Sequence, residues 1–418
     1  MRSAFFVWEY PPKLVGGLGT FAQYVCPKMV EMGVDVSLFT MNDEKGTLKT
    51  REILNGVEVH RPINVHISDT LPLYITDDLK SWGNRVEFFA AIHSHNIICA
   101  SKLVNDLIRK GNYDFNVIHA NDWLSAEGGI ITKRDTGLPF VFHFHSTEQG
   151  RTMGNGSTTI IHLEKTAAKK ADRVITVSYP MQEELVRYGV PLEKISVCWN
   201  GVDVEKYNPQ NLKEDEVQGL RNRYGIEQKE KMILFVGRLV PEKGILQLVM
   251  AMRPVLRKHP EAKLVILGCG PLERQINYLV TAHGLKKNVI TRFEWVSEKE
   301  RILHYSACDI AVFPSRYEPF GIVSLEAMAM EKAVVVGTFG VSGFRDQVIP
   351  SGPEQTGFHV NGNNPSDIAE WGIIPALDNP EKTKEMGKRG RQRAIEYFTW
   401  EKSVKSIISV YEEVIEEK

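Results

Sequence analysis

Two glutamates separated by seven residues, Glu318 and Glu326, stand in the stretch Pro314-Ser315-Arg316-Tyr317-Glu318-Pro319-Phe320-Gly321-Ile322-Val323-Ser324-Leu325-Glu326-Ala327. An ionised carboxylate presents two acceptor oxygens and so suits paired hydroxyl groups. Glu326 is set among Val323, Leu325, Ala327, Met328 and Ala329, and a carboxylate in apolar surroundings needs a partner. Pro319 suits the first turn of a helix, which would stand Glu318 at the helix entrance with the amides of Phe320 and Gly321 just behind it. At about 1.5 Å rise and roughly 100° per residue, the two carboxylates would then lie about 12 Å apart and roughly 80° around the axis. One elongated ligand could touch both: Glu318 a sugar hydroxyl, Glu326 the two hydroxyls of a ribose, and the amides of Phe320 and Gly321 the phosphates between. A pair of solvent-exposed glutamates is the plainer alternative, and it accounts poorly for the apolar neighbours of Glu326.

A second constellation is cationic. Phe235-Val236-Gly237-Arg238 closes an apolar run and continues through Leu239-Val240-Pro241-Glu242-Lys243-Gly244. The planar fork of Arg238 and the compact charge of Lys243 together suit a diphosphate; two solvated surface charges, with Gly244 merely relaxing a turn, are the alternative. Near the N-terminus, Glu9 to Thr20 carries Pro11, Pro12, Gly16, Gly17 and Gly19 where a helix is expected to start. Free amides and the positive end of a helix dipole suit an anion there, and a tight turn without a ligand is equally compatible. The loop has neither the Gly-Lys-Ser/Thr ending of a P-loop nor a GxGxxG pattern.

Histidines supply the third signal. His119-Ala120-Asn121-Asp122-Trp123 and His143-Phe144-His145-Ser146 both end apolar runs, and His145 could donate to a sugar oxygen or orient the reacting centre. The pairs His93 with His95 and His143 with His145 lack the further ligand spacing of a zinc site. No Asp-x-Asp stands at a strand end to hold a divalent ion, so the expectation is chemistry without a metal or other cofactor.

The elements that must position these residues read as alternating strands and helices, which argues for parallel sheets built from βαβ units. Strands are expected at Ala4 to Trp8, Val36 to Phe39, Asn116 to His119, Phe140 to His145, Val174 to Val177 and Ile195 to Cys198. Helices are expected from Phe21 to Met32 and near Val86 to Arg109, Ser125 to Arg134, Ile160 to Lys170 and Met181 to Tyr188. Asn200 to Lys231 is rich in charge and amide and reads as a linker with a surface helix. A second round then runs from strand Met232 to Val236 through helix Ile322 to Met330 and strand Ala333 to Val336. Two doubly wound domains follow, residues 1–205 and 206–395, with 396–418 as a closing helix. Their crevices, beyond the carboxyl ends of the strands, would face one another across a cleft.

With 418 residues, 43% hydrophobic and 25% charged, the chain is too long for one ordinary core and too apolar for disorder. Lys plus Arg number 51 against 52 Asp plus Glu, a balance that gives no bulk attraction to nucleic acid. Cys26, Cys99, Cys198, Cys269 and Cys308 are scattered singly, as in a reducing compartment. The apolar run at Ala4 to Trp8 is too short for an export signal and no run is long enough for a transmembrane helix. A cytoplasmic location is the expectation, and homo-oligomerisation is left open.

Taken together, the Gly16-Gly17 loop, His119 to Trp123, His145, Asn200-Gly201-Val202-Asp203, Gly237-Arg238 with Glu242-Lys243-Gly244, and the Glu318/Glu326 pair resemble the retaining glycosyltransferases of GT-B fold, in the family that contains glycogen synthases and sucrose-phosphate synthases. The resemblance runs over nearly the whole chain. It implies that Arg238 and Lys243 hold a donor diphosphate, Glu318 contacts the donor sugar, Glu326 binds the ribose, His145 lies beside the sugar, and Gly16 and Gly17 close over the phosphates. It further implies that the segment from Trp400 to Glu412 is the family's last helix, crossing back onto the first domain.

One departure stands out: the glycogen synthases place a lysine two residues before the double glycine, where this chain has Leu14, with Lys13 adjacent. The activity implied is transfer of a hexosyl unit, glucose first, from a nucleotide diphosphate sugar (ADP- or UDP-glucose) to an oligo- or polysaccharide acceptor, an α-glucan first. Sucrose-type, glycolipid or cell-surface polysaccharide products are the alternatives, followed by a nucleotide-sugar epimerase and a non-catalytic nucleotide-sugar-binding protein.

Overall fold

A computed structural model describes residues 1–14, 16–43, 46–67, 70–73, 75–83 and 86–418. Val15, within the first glycine-rich loop, lies outside the described residues. The chain forms two units, one of residues 1–199 with 400–418 and the other of residues 200–399.

The first unit is built on an eight-stranded sheet in the order β3-β4-β2-β1-β5-β6-β7-β8. Its strands are β1 (Arg2–Phe6), β2 (Asp35–Phe39), β3 (Arg51–Leu54), β4 (Val57–His60), β5 (Val117–Asn121), β6 (Phe140–Phe144), β7 (Arg173–Thr176) and β8 (Ile195–Val197). All neighbours are parallel except β3 and β4. That antiparallel pair is absent from the strand pattern expected above. It turns through Asn55 and Gly56, both at positive φ, the backbone that a two-residue hairpin requires. Strands β5 and β6 are buried along their whole length, as in a parallel sheet whose two faces are both covered by helices.

Helices Gly17–Glu31, Val86–Ser101, Asp122–Thr136, Thr158–Lys170 and Tyr179–Arg187 supply the cover. Past Ser101 the second expected helical stretch continues as a π-helix, Lys102–Lys110. Helix Trp400–Glu416 belongs to this unit too. Its Trp400 ring stacks on Tyr24 of helix Gly17–Glu31, centroids 5.2 Å apart and planes within 4°, and its Tyr411 is fully buried against His119. Burying an aromatic side chain of this kind contributes about 1.5–3 kcal/mol.

The second unit has a six-stranded, all-parallel sheet in the order β11-β10-β9-β12-β13-β14. The strands are β9 (Lys231–Val236), β10 (Ala262–Leu267), β11 (Val289–Arg292), β12 (Ile310–Phe313), β13 (Val334–Gly337) and β14 (Gly357–Val360); β14 was not expected. Its core joins Ile233, Phe235, Leu264, Ile266, Ile310 and Val312 from the strands to Leu248, Val249 and Met252 from helix Ile245–Lys258. Between residues 200 and 231 the expected surface helix is Glu214–Arg223.

Both sheets reverse their winding once, between β1 and β5 in the first and between β9 and β12 in the second. Loops that leave neighbouring strands at such a switch point part to opposite faces and open a crevice. The segments after β1 and β5, and those after β9 and β12, contain most of the residues singled out in the sequence. Among the described residues no helix is long and apolar enough to cross a membrane.

Candidate donor and acceptor crevices

In the second unit the loops after β9 and β12 are bonded together at the switch point. The carbonyl of Glu242 accepts from the amide of Arg316 at 2.7 Å and from that of Tyr317 at 3.4 Å. Gly244 sits at φ 67°, and a Cβ there would stand 2.0 Å from the Pro314 carbonyl oxygen, so only glycine allows the two loops this approach. Lys243 and Glu318 are thereby brought into contact: Nζ donates to Oε2 at 2.6 Å, with side-chain exposures of 20% and 8%. Ser315 Oγ donates to the same oxygen at 3.0 Å. Arg238 is more open, 55% exposed, with Nη2 3.5 Å from Glu242 Oε1.

The helix carrying Glu326 begins later than expected. It spans Ile322–Ala329, with Gly321 as its cap at φ 88°, so Pro319 is not in its first turn and Glu318 is not on the same helix as Glu326. The spacing deduced from a single helix therefore does not apply. The cause is packing: the backbone of Glu318 pairs with the segment after β13, its amide donating to Val341 O and its carbonyl accepting from Gly343 N, and a Cβ on Gly321 would lie 2.1 Å from the Phe344 ring. The chain must turn through a left-handed residue before it can coil. The first-turn amides still lack intrahelical partners, and Ser324 is the first to bond back, to Gly321 O at 3.2 Å.

Glu326 is 4% exposed and fully partnered. Arg301 donates from Nε to Oε2 at 3.1 Å and from Nη2 to Oε1 at 3.0 Å. Tyr207 donates to Oε1 at 2.8 Å and Tyr305 to Oε2 at 2.9 Å. Burial, and after it the charge of Glu326, push both tyrosine hydroxyls upward from their usual pKa. Burial acts to lower Arg301, but Glu326 and the two tyrosines outweigh it and hold the guanidinium above its ordinary range. The sequence reading recognised the need for a partner and missed these three. Trp295 is 66% exposed and Val296 is buried in the loop after β11.

In the first unit Gly16 caps helix Gly17–Glu31, and a Cβ on either Gly16 or Gly17 would meet nothing within 4 Å. The Gly16 amide itself donates to Glu9 Oε2 at 3.0 Å, and the same oxygen would stand 2.7 Å from a Cβ on Gly19, so a carboxylate of the chain itself sits at this helix start. Lys13 makes no ion pair among the described residues.

Across the same switch point, β5 delivers Asn121 and Asp122, and β6 delivers His145. Asp122 opens helix Asp122–Thr136 at φ 53°, a backbone region that costs a non-glycine residue about 1–2 kcal/mol. In return its Oδ1 accepts from the amides of His145 at 2.7 Å and Ser146 at 3.3 Å. Burial pushes the Asp122 carboxyl up to about 7, and Glu164 nearby up to about 8. His145 is pushed down to about 3, also by burial, and its Nε2 lies 3.0 Å from Asn121 Oδ1. His143 stacks on His145 at 4.1 Å. His93 pairs with Glu127, and His95 with Asn64 and Cys99. Among the described residues no three His, Cys, Asp or Glu side chains converge to hold a metal ion.

Residues 15–206 match the family model described as Glycosyltransferase Family 4, and residues 216–393 match Glycosyl transferases group 1. An uncharacterized glycosyltransferase of Methanocaldococcus jannaschii is 31% identical over 100% of this chain and 99% of its own length. The glycogen synthase of Mycobacterium tuberculosis is 28% identical over 98% of this chain and 94% of its own. Among solved structures, the sucrose-phosphate synthase of Thermosynechococcus elongatus superposes with a TM-score of 0.77 at 23% identity, covering all of both chains. With its two sheets, switch-point loops and full-length matches, the chain belongs to the glycosyltransferases of GT-B fold that join a family 4 half to a group 1 half.

Proposed function

We propose that the chain is a retaining hexosyltransferase that moves glucose from ADP- or UDP-glucose to an α-glucan, in the manner of a glycogen synthase, and needs no metal. The observation that supports this reading most directly is the meeting of Lys243 and Glu318 beside Arg238 at the second switch point. An ammonium has three donors; Glu318 takes one, and the others are left for a diphosphate. As the bond from the anomeric carbon to the diphosphate breaks, charge grows on the leaving oxygen. Arg238 and Lys243 then stabilise the transition state more than the ground state. The acceptor oxygen bonds the anomeric carbon on the face just vacated, and its proton passes to the departing phosphate. Glu318, whose Oε1 is left by Lys243 and Ser315, holds a hydroxyl of the donor sugar; Glu326 takes the ribose by exchanging one of the four bonds it receives from Arg301, Tyr207 and Tyr305, while the amides from Phe320 onward meet the phosphates.

Leu14 favours a second reading, in which the acceptor is not a glucan but another sugar or a glycolipid, because the loop lacks the lysine that the glycogen synthases carry. The deciding experiment incubates the protein with ADP-glucose and UDP-glucose against glycogen, short maltosaccharides and fructose phosphate, with and without chelator. Nucleotide release that depends on a glucan, gives an α-linked product and survives chelator is the expected result. Release with fructose phosphate alone would establish the second reading; loss on chelation that magnesium restores would overturn the metal-free scheme.

A further inference from the structure

The hydrogen bonds around His145 fix which of its ring nitrogens carries a proton. A backbone carbonyl can only accept, and Phe6 O accepts from Asn121 Nδ2 at 2.8 Å. Asn121 is fully buried, so its amide is held one way round, with Oδ1 turned to His145 Nε2 at 3.0 Å. That oxygen is also an acceptor only. The bond between them needs a proton, and it must sit on Nε2. Burial keeps the ring neutral, so Nδ1 carries a bare lone pair. Among the described residues Nδ1 has no partner, and it is not sealed in the core as His143 Nε2 is. Asp122 fixes the backbone of the same residue through its amide, and the rings of Phe21 and His143 hold its plane at centroid distances of 4.4 and 4.1 Å.

We propose that Asn121 is a positioning residue that locks His145 as the Nε2–H tautomer, so that His145 meets its ligand as an acceptor at Nδ1 and selects a sugar presenting a hydroxyl donor there. This reverses the direction expected from the sequence, in which His145 donated to a sugar oxygen. Phosphate, carboxylate, ether and carbonyl oxygens have nothing to give to Nδ1; a hydroxyl does. The sugar as ligand rests on the function proposed above, whereas the tautomer rests on Phe6, Asn121 and His145 alone.

Two measurements on the full chain test it. Nitrogen-15 NMR of ring-labelled histidines reads the tautomer, with the His145 signals identified by their loss in His145→Gln. A protonated Nε2 with a bare Nδ1 at neutral pH is expected, and a protonated Nδ1 overturns the proposal. Asn121→Ala should bring in the second tautomer. The second measurement compares donor and acceptor sugars in which each hydroxyl in turn is replaced by hydrogen or by fluorine, neither of which can donate. At one position both replacements should lower kcat/KM by about tenfold, and in His145→Ala that penalty should disappear. If every position behaves alike in the two proteins, the selection by His145 is refuted. Should the chain transfer no sugar while Nε2 is found protonated, the proposed function fails and the tautomer stands.

Discussion

Lys243 Nζ and Glu318 Oε2 are 2.6 Å apart, although the two side chains come from loops that follow different strands, β9 and β12. The cation expected on a diphosphate and the carboxylate expected on a sugar are one ion pair. Each sets the position of the other before any ligand arrives.

Lys243→Ala is accordingly expected to lower kcat/KM by about 10²–10³, the loss typical of one transition-state donor. Glu318→Gln should cost less in folding and still impair turnover, because a neutral amide oxygen holds the ammonium more weakly than the carboxylate does. Steady-state kinetics beside thermal melts separate the two effects; Lys243→Ala with unchanged kcat would remove the phosphate role.

Glu326→Ala leaves Arg301 charged and without its bidentate partner inside the fold. Breaking such a pair costs about 3–5 kcal/mol, so urea unfolding should show a large loss of stability alongside weaker nucleotide binding. Glu326→Gln keeps the shape but turns one of the two acceptor oxygens into a donor, so a ribose held by the carboxylate loses a bond while the side chain stays in place, and this is the variant in which to measure nucleotide affinity. Wild-type affinity in that variant would argue that Glu326 serves the fold through Tyr207, Arg301 and Tyr305 and does not touch ribose.

Gly244→Ala should separate the loops after β9 and β12, since the added methyl meets the Pro314 carbonyl. The left-handed backbone alone costs about 1 kcal/mol or more. Turnover should fall further than stability, because Lys243 moves away from Glu318; equal falls in both would point to a purely structural glycine.

Stability should decline as pH rises from about 6.5 to 8, above the range in which the buried histidines, His95, His119 and His145, held down to about 3, act in the opposite direction. Asp122 and Glu164 have ordinary values of 3.8 and 4.5 and titrate near 7 and 8 in the fold, so folding takes up protons in that window. Their contribution is whole below about pH 4 and is lost as pH rises through 7 and 8, with a slope of up to about 1.4 kcal/mol per pH unit for each proton. Asp122→Asn keeps the acceptor for the His145 amide and removes one proton from the balance. A flatter stability profile in that variant, by chemical denaturation from pH 6.5 to 9, is the expected outcome, and an unchanged profile would contradict it.

Most of the sheet was legible because buried parallel strands are short apolar runs, and β9, Lys231–Val236, begins one residue before the strand expected from Met232 to Val236. The hairpin β3–β4 was missed although Asn55-Gly56 announces it, because its strands carry Arg51, Glu52, Glu58 and His60 in place of an apolar run. The loop residues Arg238, Lys243 and Glu318 could be found from type and position alone. The helix start at Ile322 could not, since it depends on Phe344 packing against Gly321. Nor could the partners of Glu326: Tyr207 lies 119 residues away in sequence, and no local pattern links the two.

The Trp400–Tyr24 stack has a consequence for biosynthesis. Residues 200–399 form one continuous stretch and can complete their own core as soon as they have been made, whereas the unit that begins at Met1 must wait for 400–416 before the apolar face of helix Gly17–Glu31 is covered. During translation the half begun first is the half finished last, and for that interval the Tyr24 ring has no Trp400 to stack on.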